Sequence, residues 1–261
     1  MITFDQTFWL TMVSGAMIGA AAGYMGAFMV LRRMALVGDA LSHVALPGIA
    51  IALVLEINPF IGAFLFLFFA ALGIWGIEEK TKLPTEALVG VFFTLSLAIG
   101  ILLTPEPELL EALFGNIAKV NIFDAFVGII LSIVVLATAF FLKKSFLLGI
   151  VSRDLAESAH IRTRIANLIF LLLVTTVVAL GVKVVGTLLM GALVVVPAVA
   201  AKNLSLRFSI FSLFSIIFGV ASVVGGVLLS NEYALPPGPV IVLLSVGFFG
   251  LSLATRALRR Q

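Results

Sequence analysis

The sequence reads Gly38-Asp39-Ala40-Leu41-Ser42-His43-Val44-Ala45-Leu46-Pro47-Gly48 in the middle of a long apolar segment, which places an acid and an imidazole where lipid is expected. Ionisable side chains inside a membrane span are costly, and they mark functional sites. Asp39 and His43 are four residues apart, a spacing that puts both on one face of a helix. A carboxylate and a neutral imidazole bind divalent metals such as Zn²⁺, Mn²⁺ or Fe²⁺. The pair therefore predicts part of a metal site, which other residues, water or a second copy of the chain must complete.

Pro47 indicates a break in the same helix. Proline has no N–H, so the carbonyl of His43, four residues earlier, is predicted to lack its helical partner and to face a cavity. Irregular backbone at membrane depth is tolerated where it lines protein or water, and transporters bind ions at the ends of broken helices. A purely structural alternative is that Asp39 caps the start of a helix, His43 bonds to a neighbouring helix and Pro47 is a packing kink.

The composition identifies a polytopic membrane protein. Of the 261 residues, 62% are hydrophobic and only 11% are charged, and the mean hydropathy is +1.27. These values exclude a soluble domain. The chain has no cysteine, which excludes disulfides and thiolate metal ligands. Its net charge of +3 comes from basic residues at the ends of apolar segments, a distribution that reports membrane orientation and not nucleic-acid binding.

The apolar segments predict an all-α transmembrane bundle of eight or nine spans. The positive-inside rule places the amino terminus outside and the carboxyl terminus inside, which agrees with an odd number of spans. A turn at residues 182–184 would put Lys183 outside, against that rule, so eight spans with one long bent helix are the alternative. The nine predicted spans are residues 1–31, 38–55, 60–77, 85–103, 122–142, 165–181, 185–201, 208–229 and 240–258.

Two further patterns concern packing and the outer face. Gly15, Gly19 and Gly23 form small-xxx-small repeats, which allow close helix approach either within the subunit or across a dimer. Residues 109–120 are too short and too polar to span the membrane, so they predict an interfacial or re-entrant piece. Such a piece could form part of an outer gate.

The largest hydrophilic stretch, residues 143–164, is predicted to lie in the cytoplasm because of its five basic side chains. Within it, residues 152–161 begin with a serine suited to an N-cap and have an acidic first half, which is typical of a short helix lying off the membrane. This helix could dock in a groove of a partner, or it could be a solvated connector. His160 is predicted to be exposed there and not to bind metal.

Several of these stretches together resemble one known family. The run RRMALVGDALSHVALPG at residues 32–48 resembles the signature of the membrane permeases of zinc- and manganese-type ATP-binding cassette (ABC) importers. LFGNI at residues 113–117, SRDLA at residues 152–156 and VGTLLMGALVVVPAVAA at residues 185–201 are similar to later landmarks of that family, in order and at fitting spacing. The resemblance covers essentially the whole chain.

The resemblance implies a type II ABC importer-like fold, with residues 1–261 as one transmembrane permease domain in the cytoplasmic membrane of a prokaryote. It implies a homodimer, two cytoplasmic ATP-binding subunits, an extracytoplasmic metal-binding protein and no permanently bound cofactor. The transported ion would be zinc or manganese, possibly iron, contacted by Asp39 and His43. The chain has no Walker-type loop, so ATP hydrolysis belongs to a separate chain and this subunit is not itself an enzyme. The coupling helix maps onto residues 152–161, and its candidate contacts with the ATPase are Ser152, Asp154, Ala156, Glu157 and Ala159.

Two other classes of protein compete with this interpretation. A secondary transporter driven by an ion gradient should show an internal repeat with paired broken helices, and the second half of the chain has no copy of the Asp39–His43 pattern. A membrane enzyme using the pair as acid and base needs another polar partner within the membrane, and none stands out from the sequence. One carboxylate and one imidazole suit zinc, manganese and ferrous iron alike, so the pair does not select the metal.

Overall fold

The computed structural model describes residues 6–103, 113, 121–151, 161–205 and 207–258, and the regular structure in these ranges is helical. This confirms the predicted all-α membrane bundle. Eight segments are long and apolar enough to cross a membrane, one of them formed by α2 and α3 together. The helices are α1 Gln6–Leu31, α2 Ala35–Val44, α3 Leu46–Val54, α4 Pro59–Thr81, α5 Thr85–Leu103, α6 Ile122–Phe141, α7 Lys143–Val151, α8 Thr163–Val185, α9 Met190–Leu204, α10 Phe208–Tyr233 and α11 Pro237–Leu258.

The junction between α8 and α9 rules out the predicted turn and agrees with the alternative of eight spans, although residues 186–189 separate the two helices. No turn occurs at residues 182–184, because α8 continues to Val185 and ends at Gly186, whose φ of 87° suits glycine. The next helix starts only at Met190 and has 15 residues, a length of roughly 22 Å against about 30 Å of hydrocarbon. The predicted full span over residues 185–201 is therefore wrong. The described residues instead contain eight long spans, and α9 is too short to be a ninth.

The short helix α9 is enclosed by other helices. It contacts α1, α2, α10 and α11, and Met190, Leu193 and Ala198 are fully buried. At Gly26 of α1, a Cβ would collide with the carbonyl oxygen of Val194 in α9. Protein therefore replaces lipid around α9, which explains how a helix too short to span is accommodated at membrane depth.

The glycine face of α1 packs inside the subunit. A Cβ built on Gly19 would lie 2.7 Å from the carbonyl oxygen of Gly219 in α10, closer than van der Waals contact allows. One turn later, the Ser215 hydroxyl of α10 donates a 2.5 Å hydrogen bond to the carbonyl of Gly23. Of the two predicted uses of this face, the structure shows the one within the subunit, where the absent side chains let two backbones touch.

A buried ion pair joins α6 to α8 towards the predicted outer face. Lys183 of α8 pairs with Asp124 of α6, and the exposed fractions of the two side chains are 25% and 3%. The Asn58 side-chain amide, just before α4, donates to the same carboxylate at 3.0 Å. Asn121 and Asp124 cap each other at the start of α6. Lys183 can therefore lie inside an apolar helix because its charge is neutralised there, which removes the conflict with the charge rule.

A second polar cluster ties together helix ends on the predicted cytoplasmic side. Arg32, which follows α1, donates to the side-chain oxygen of Asn167 in α8 at 2.9 Å, and its guanidinium lies 3.9 Å from the ring centroid of Phe170. Asn167 and Thr85 donate to the two carboxylate oxygens of Glu78 at 3.0 and 2.8 Å. Burial lowers the pKa of Arg32 to about 10, against the opposing effect of Glu78, so Arg32 stays charged at neutral pH. The cluster borders a cavity of about 660 Å³.

Replacing Gly19 by alanine tests the contact between α1 and α10. Gly19→Ala should lower the free energy of unfolding by about 1–3 kcal/mol, because the new methyl group forces the two backbones apart. The measurement is the thermal unfolding midpoint of the detergent-solubilised protein. Gly90→Ala is the matched control, since a Cβ on Gly90 meets nothing within 4 Å. Equal midpoints for the two variants would contradict the packing role of Gly19.

Removing the lysine tests the buried ion pair. Lys183→Met should cost about 3–5 kcal/mol, because it leaves the Asp124 carboxylate buried without a counter-charge. The double variant Asp124→Asn/Lys183→Met should recover most of this loss, since asparagine keeps hydrogen-bonding capacity toward Asn58 and carries no charge. Chemical or thermal unfolding in detergent measures both. The interpretation fails if the double variant is no more stable than Lys183→Met.

Candidate metal site

Asp39 and His43 lie on α2, the first half of the broken second span, and both side chains are partly exposed. Asp39 is the fifth residue of this helix, which starts at Ala35, and the N-cap position belongs to Met34. The alternative that Asp39 caps a helix is therefore wrong. The carboxylate stands within the helix, one turn before the imidazole, as the spacing predicts.

The predicted break occurs at Ala45, between α2 and α3, with Pro47 in the first turn of α3. Ala45 keeps right-handed helical dihedrals (φ −69°, ψ −25°), so the two halves follow one another closely. The N–H of Ala45 donates to the carbonyl of Ser42 at 3.3 Å. Among the described residues no main-chain N–H outside the helices donates to the His43 carbonyl, as predicted from the N–H that Pro47 lacks.

The bend between α8 and α9 forms the other side of this region. The Ser42 hydroxyl lies 2.5 Å from the carbonyl oxygen of Thr187 and 2.6 Å from that of Asp39. At Gly191, in the first turn of α9, a Cβ would lie 2.5 Å from the Cβ of Asp39 and 2.8 Å from its Oδ1. Only glycine permits this approach. The start of α9 is thus held directly against the carboxylate of α2.

Two buried polar atoms beside this contact have no hydrogen-bond partner within the described residues. They are Nδ1 of His43 and Oγ1 of Thr187. The His43 ring packs edge-on against Phe93 of α5, with centroids 5.4 Å apart. In the described part of the chain, the Asp39 carboxylate accepts no hydrogen bond either. A carboxylate and an imidazole left without protein partners are free to bind a cation.

Within the described ranges, Asp39 and His43 are not part of a larger cluster of candidate metal ligands. Among those residues, no third His, Cys, Asp or Glu joins Asp39 and His43 in a cluster. The donor set is nitrogen and oxygen, which suits Mn²⁺, Fe²⁺ and Zn²⁺. Such a metal therefore needs further ligands from water, from a second copy of the chain or from groups outside the described ranges.

The sequence predicted the Asp39–His43 pair as candidate metal ligands, and it did not predict the residues around the pair. Ser42 lies within the quoted stretch, but nothing in the sequence shows that it reaches across to another helix. Thr187 and Gly191 lie at residues 185–201, in the run that resembles a later landmark of the importer permeases. A threonine and a glycine within this apolar run were the only sign that it contacts α2. The Asp124–Lys183 pair was also missed, although the misfit of Lys183 with the charge rule pointed to it.

Several predicted residues lie outside the described ranges. They are His160 and the candidate ATPase contacts Ser152, Asp154, Ala156, Glu157 and Ala159. The predicted outer piece at residues 109–120 is described only at Leu113, whose carbonyl accepts a 3.1 Å hydrogen bond from the N–H of Leu188. This bond connects Leu113 to the bend beside Thr187.

Known proteins are similar to this chain over nearly its whole length. Residues 5–256 match the ABC 3 transport family. The manganese transport system membrane protein MntC of Listeria innocua is 31% identical over 242 residues, covering 91% of this chain and 86% of the relative. The high-affinity zinc uptake system membrane protein ZnuB of Haemophilus influenzae is 30% identical over 251 residues, covering 94% and 96%. The solved structure of PsaBC from Streptococcus pneumoniae in complex with Fab matches with a TM-score of 0.83 and 28% identity, covering 96% of this chain and 92% of the matched chain. The chain is therefore a multi-pass membrane protein that belongs to the ABC 3 transport family.

Proposed function

We propose that this chain is the permease subunit of an ABC importer for a divalent transition metal, with residues 1–261 forming one transmembrane domain. The observation that carries the proposal is the Asp39–His43 pair, which lies inside a broken span and has no hydrogen-bonding protein partner on the carboxylate or on Nδ1 within the described residues. Family membership supports this function over a secondary transporter driven by an ion gradient. The subunit then moves the ion and does not hydrolyse ATP itself.

The cargo in this proposal is manganese or zinc. One relative is named for manganese and another for zinc, and their identities to this chain are almost equal. The ligand pair is compatible with both metals, and also with ferrous iron. A site of mixed nitrogen and oxygen donors without thiolate does not favour zinc as strongly as a cysteine site would.

The proposed assembly is a homodimer with two cytoplasmic ATPase subunits and an extracytoplasmic metal-binding protein. Two ligands per chain fall short of the four to six that a transition metal usually takes, and a two-fold axis would double the count. The glycine face of α1 is occupied within the subunit, so the dimer contact is expected on other helices. Residues 152–161 are proposed as the coupling helix that enters a groove of the ATPase.

Substitution of each ligand tests the proposed cargo site. Asp39→Ala and His43→Ala should each reduce ATP-dependent metal uptake to background while leaving assembly with the ATPase intact, because each removes a ligand and little packing. The assay uses proteoliposomes with the full complex and compares Mn²⁺, Zn²⁺ and Fe²⁺. Glu86→Ala, which removes an exposed carboxylate at the start of α5, is the matched control. Uptake at the wild-type rate in both ligand variants would refute the site.

Bulky substitutions test the proposed coupling helix. Ala156 and Ala159 are three residues apart and would share a shallow face of a helix. Ala156→Trp or Ala159→Trp should therefore uncouple metal-stimulated ATP hydrolysis from uptake or weaken binding of the ATPase. Asp154→Asn and Glu157→Gln are the milder comparison, since exposed ion pairs contribute only about 0–1 kcal/mol. Pull-down of the ATPase and hydrolysis rates are measured together, and normal values in both tryptophan variants would make this segment a connector.

A further inference from the structure

Thr187 is a buried residue with an unexplained hydroxyl group. Its exposed fraction is 0%, and its Oγ1 has no hydrogen-bond partner within the described part of the chain. Burying a hydroxyl without a partner is unfavourable, so such a group in a well-packed region calls for a functional or structural reason. Thr175 and Thr176 of the preceding helix α8 show the usual solution, since their hydroxyls bond to carbonyls one turn earlier.

The main chain of Thr187 lies against α2, the helix that carries Asp39. Its carbonyl lies 2.5 Å from the Ser42 hydroxyl, which is also 2.6 Å from the carbonyl of Asp39. Four residues after Thr187, Gly191 touches the side chain of Asp39 itself. Asp39 therefore faces the segment from Thr187 to Gly191, and Thr187 marks the start of that segment.

Ser42 is unsuited to donate a hydrogen bond to the carboxylate. It has one hydroxyl hydrogen, and two main-chain carbonyls already compete for it. A carboxylate that binds a metal through one oxygen commonly accepts a hydrogen bond on the other, which fixes its orientation. In the described residues the Asp39 carboxylate has no such donor, whereas Thr187 has a donor without an acceptor.

We propose that Thr187 is a positioning residue for the cargo site, whose hydroxyl donates a hydrogen bond to the Asp39 carboxylate oxygen that does not contact the metal. This inference rests on the proposed function, because in it the bound divalent ion brings the Asp39 carboxylate to the Thr187 hydroxyl. The bend at residues 186–189 then contributes to metal affinity although it supplies no ligand. This hydrogen bond would give the Thr187 hydroxyl the partner that it lacks within the described residues.

The test measures metal binding and fold stability in the same variants. Thr187→Val keeps the shape and removes the hydroxyl, and it should weaken equilibrium binding of Mn²⁺ to the purified permease–ATPase complex by about 10- to 100-fold. Thr187→Ser keeps the hydroxyl and should retain most of the affinity. Thr175→Val makes the same chemical change at a buried threonine of α8 whose hydroxyl bonds to Leu171 at 3.0 Å, so it should leave Mn²⁺ affinity unchanged. Zn²⁺ binding and thermal unfolding are recorded for every variant.

The outcomes separate this inference from the proposed function. A wild-type complex that neither binds nor takes up Mn²⁺ or Zn²⁺ contradicts the proposed function and the inference with it. A wild-type complex that binds metal, together with unchanged affinity in Thr187→Val, overturns the inference alone. Equal losses in Thr187→Val and Thr187→Ser would assign Thr187 a packing role and also overturn it. If Thr187→Val does not fold, the metal affinities of Thr187→Ala and Thr187→Ser are compared instead. Alanine also lacks the hydroxyl and is smaller than valine.

Discussion

Hydrocarbon offers no hydrogen bonds, and this constraint shapes every polar feature of the molecule. A charge or a main-chain group at membrane depth must find its partner inside the protein. Lys183 pairs with Asp124, whose carboxylate also accepts a hydrogen bond from Asn58. The short helix α9 is surrounded by other helices and not by lipid. Against this background, a carboxylate and an imidazole nitrogen without protein partners in the described ranges are exceptional.

The two sides of the site depend on different kinds of contact. Asp39 and His43 belong to one continuous helical span, so local geometry alone brings them together. The other side comes from a distant part of the chain, where the Thr187 carbonyl meets the Ser42 hydroxyl and Gly191 lies against Asp39. Gly26 lets α9 press against α1, and Gly191 lets its first turn meet the carboxylate. The short α9 is thus positioned by backbone contacts that any side chain would prevent.

Polar groups near the membrane surfaces link the ends of neighbouring helices. On the predicted cytoplasmic side, Arg32 is stacked on Phe170 and bonded to Asn167, which in turn bonds to Glu78. The ends of α1, α4 and α8 are therefore linked by polar groups at the level where water begins. The Asp124 cluster plays the same part toward the outer face for α4, α6 and α8. The two clusters share α4 and α8, which are therefore held by polar contacts at both ends.

The sequence by itself determined the class of protein and the position of most spans, and it predicted that Asp39 and His43 share one helix face, because hydropathy, charge at span ends and a four-residue spacing are local properties. The bounds predicted for α5 are those observed. The tertiary structure alone decided the extent of α8 and α9, because the charge of Lys183 is tolerable only where Asp124 lies beside it. It also decided that Gly19 and Gly23 pack against α10 and that Thr187 and Gly191 lie against α2. These facts depend on contacts between distant parts of the chain, and no periodicity within a single segment encodes them.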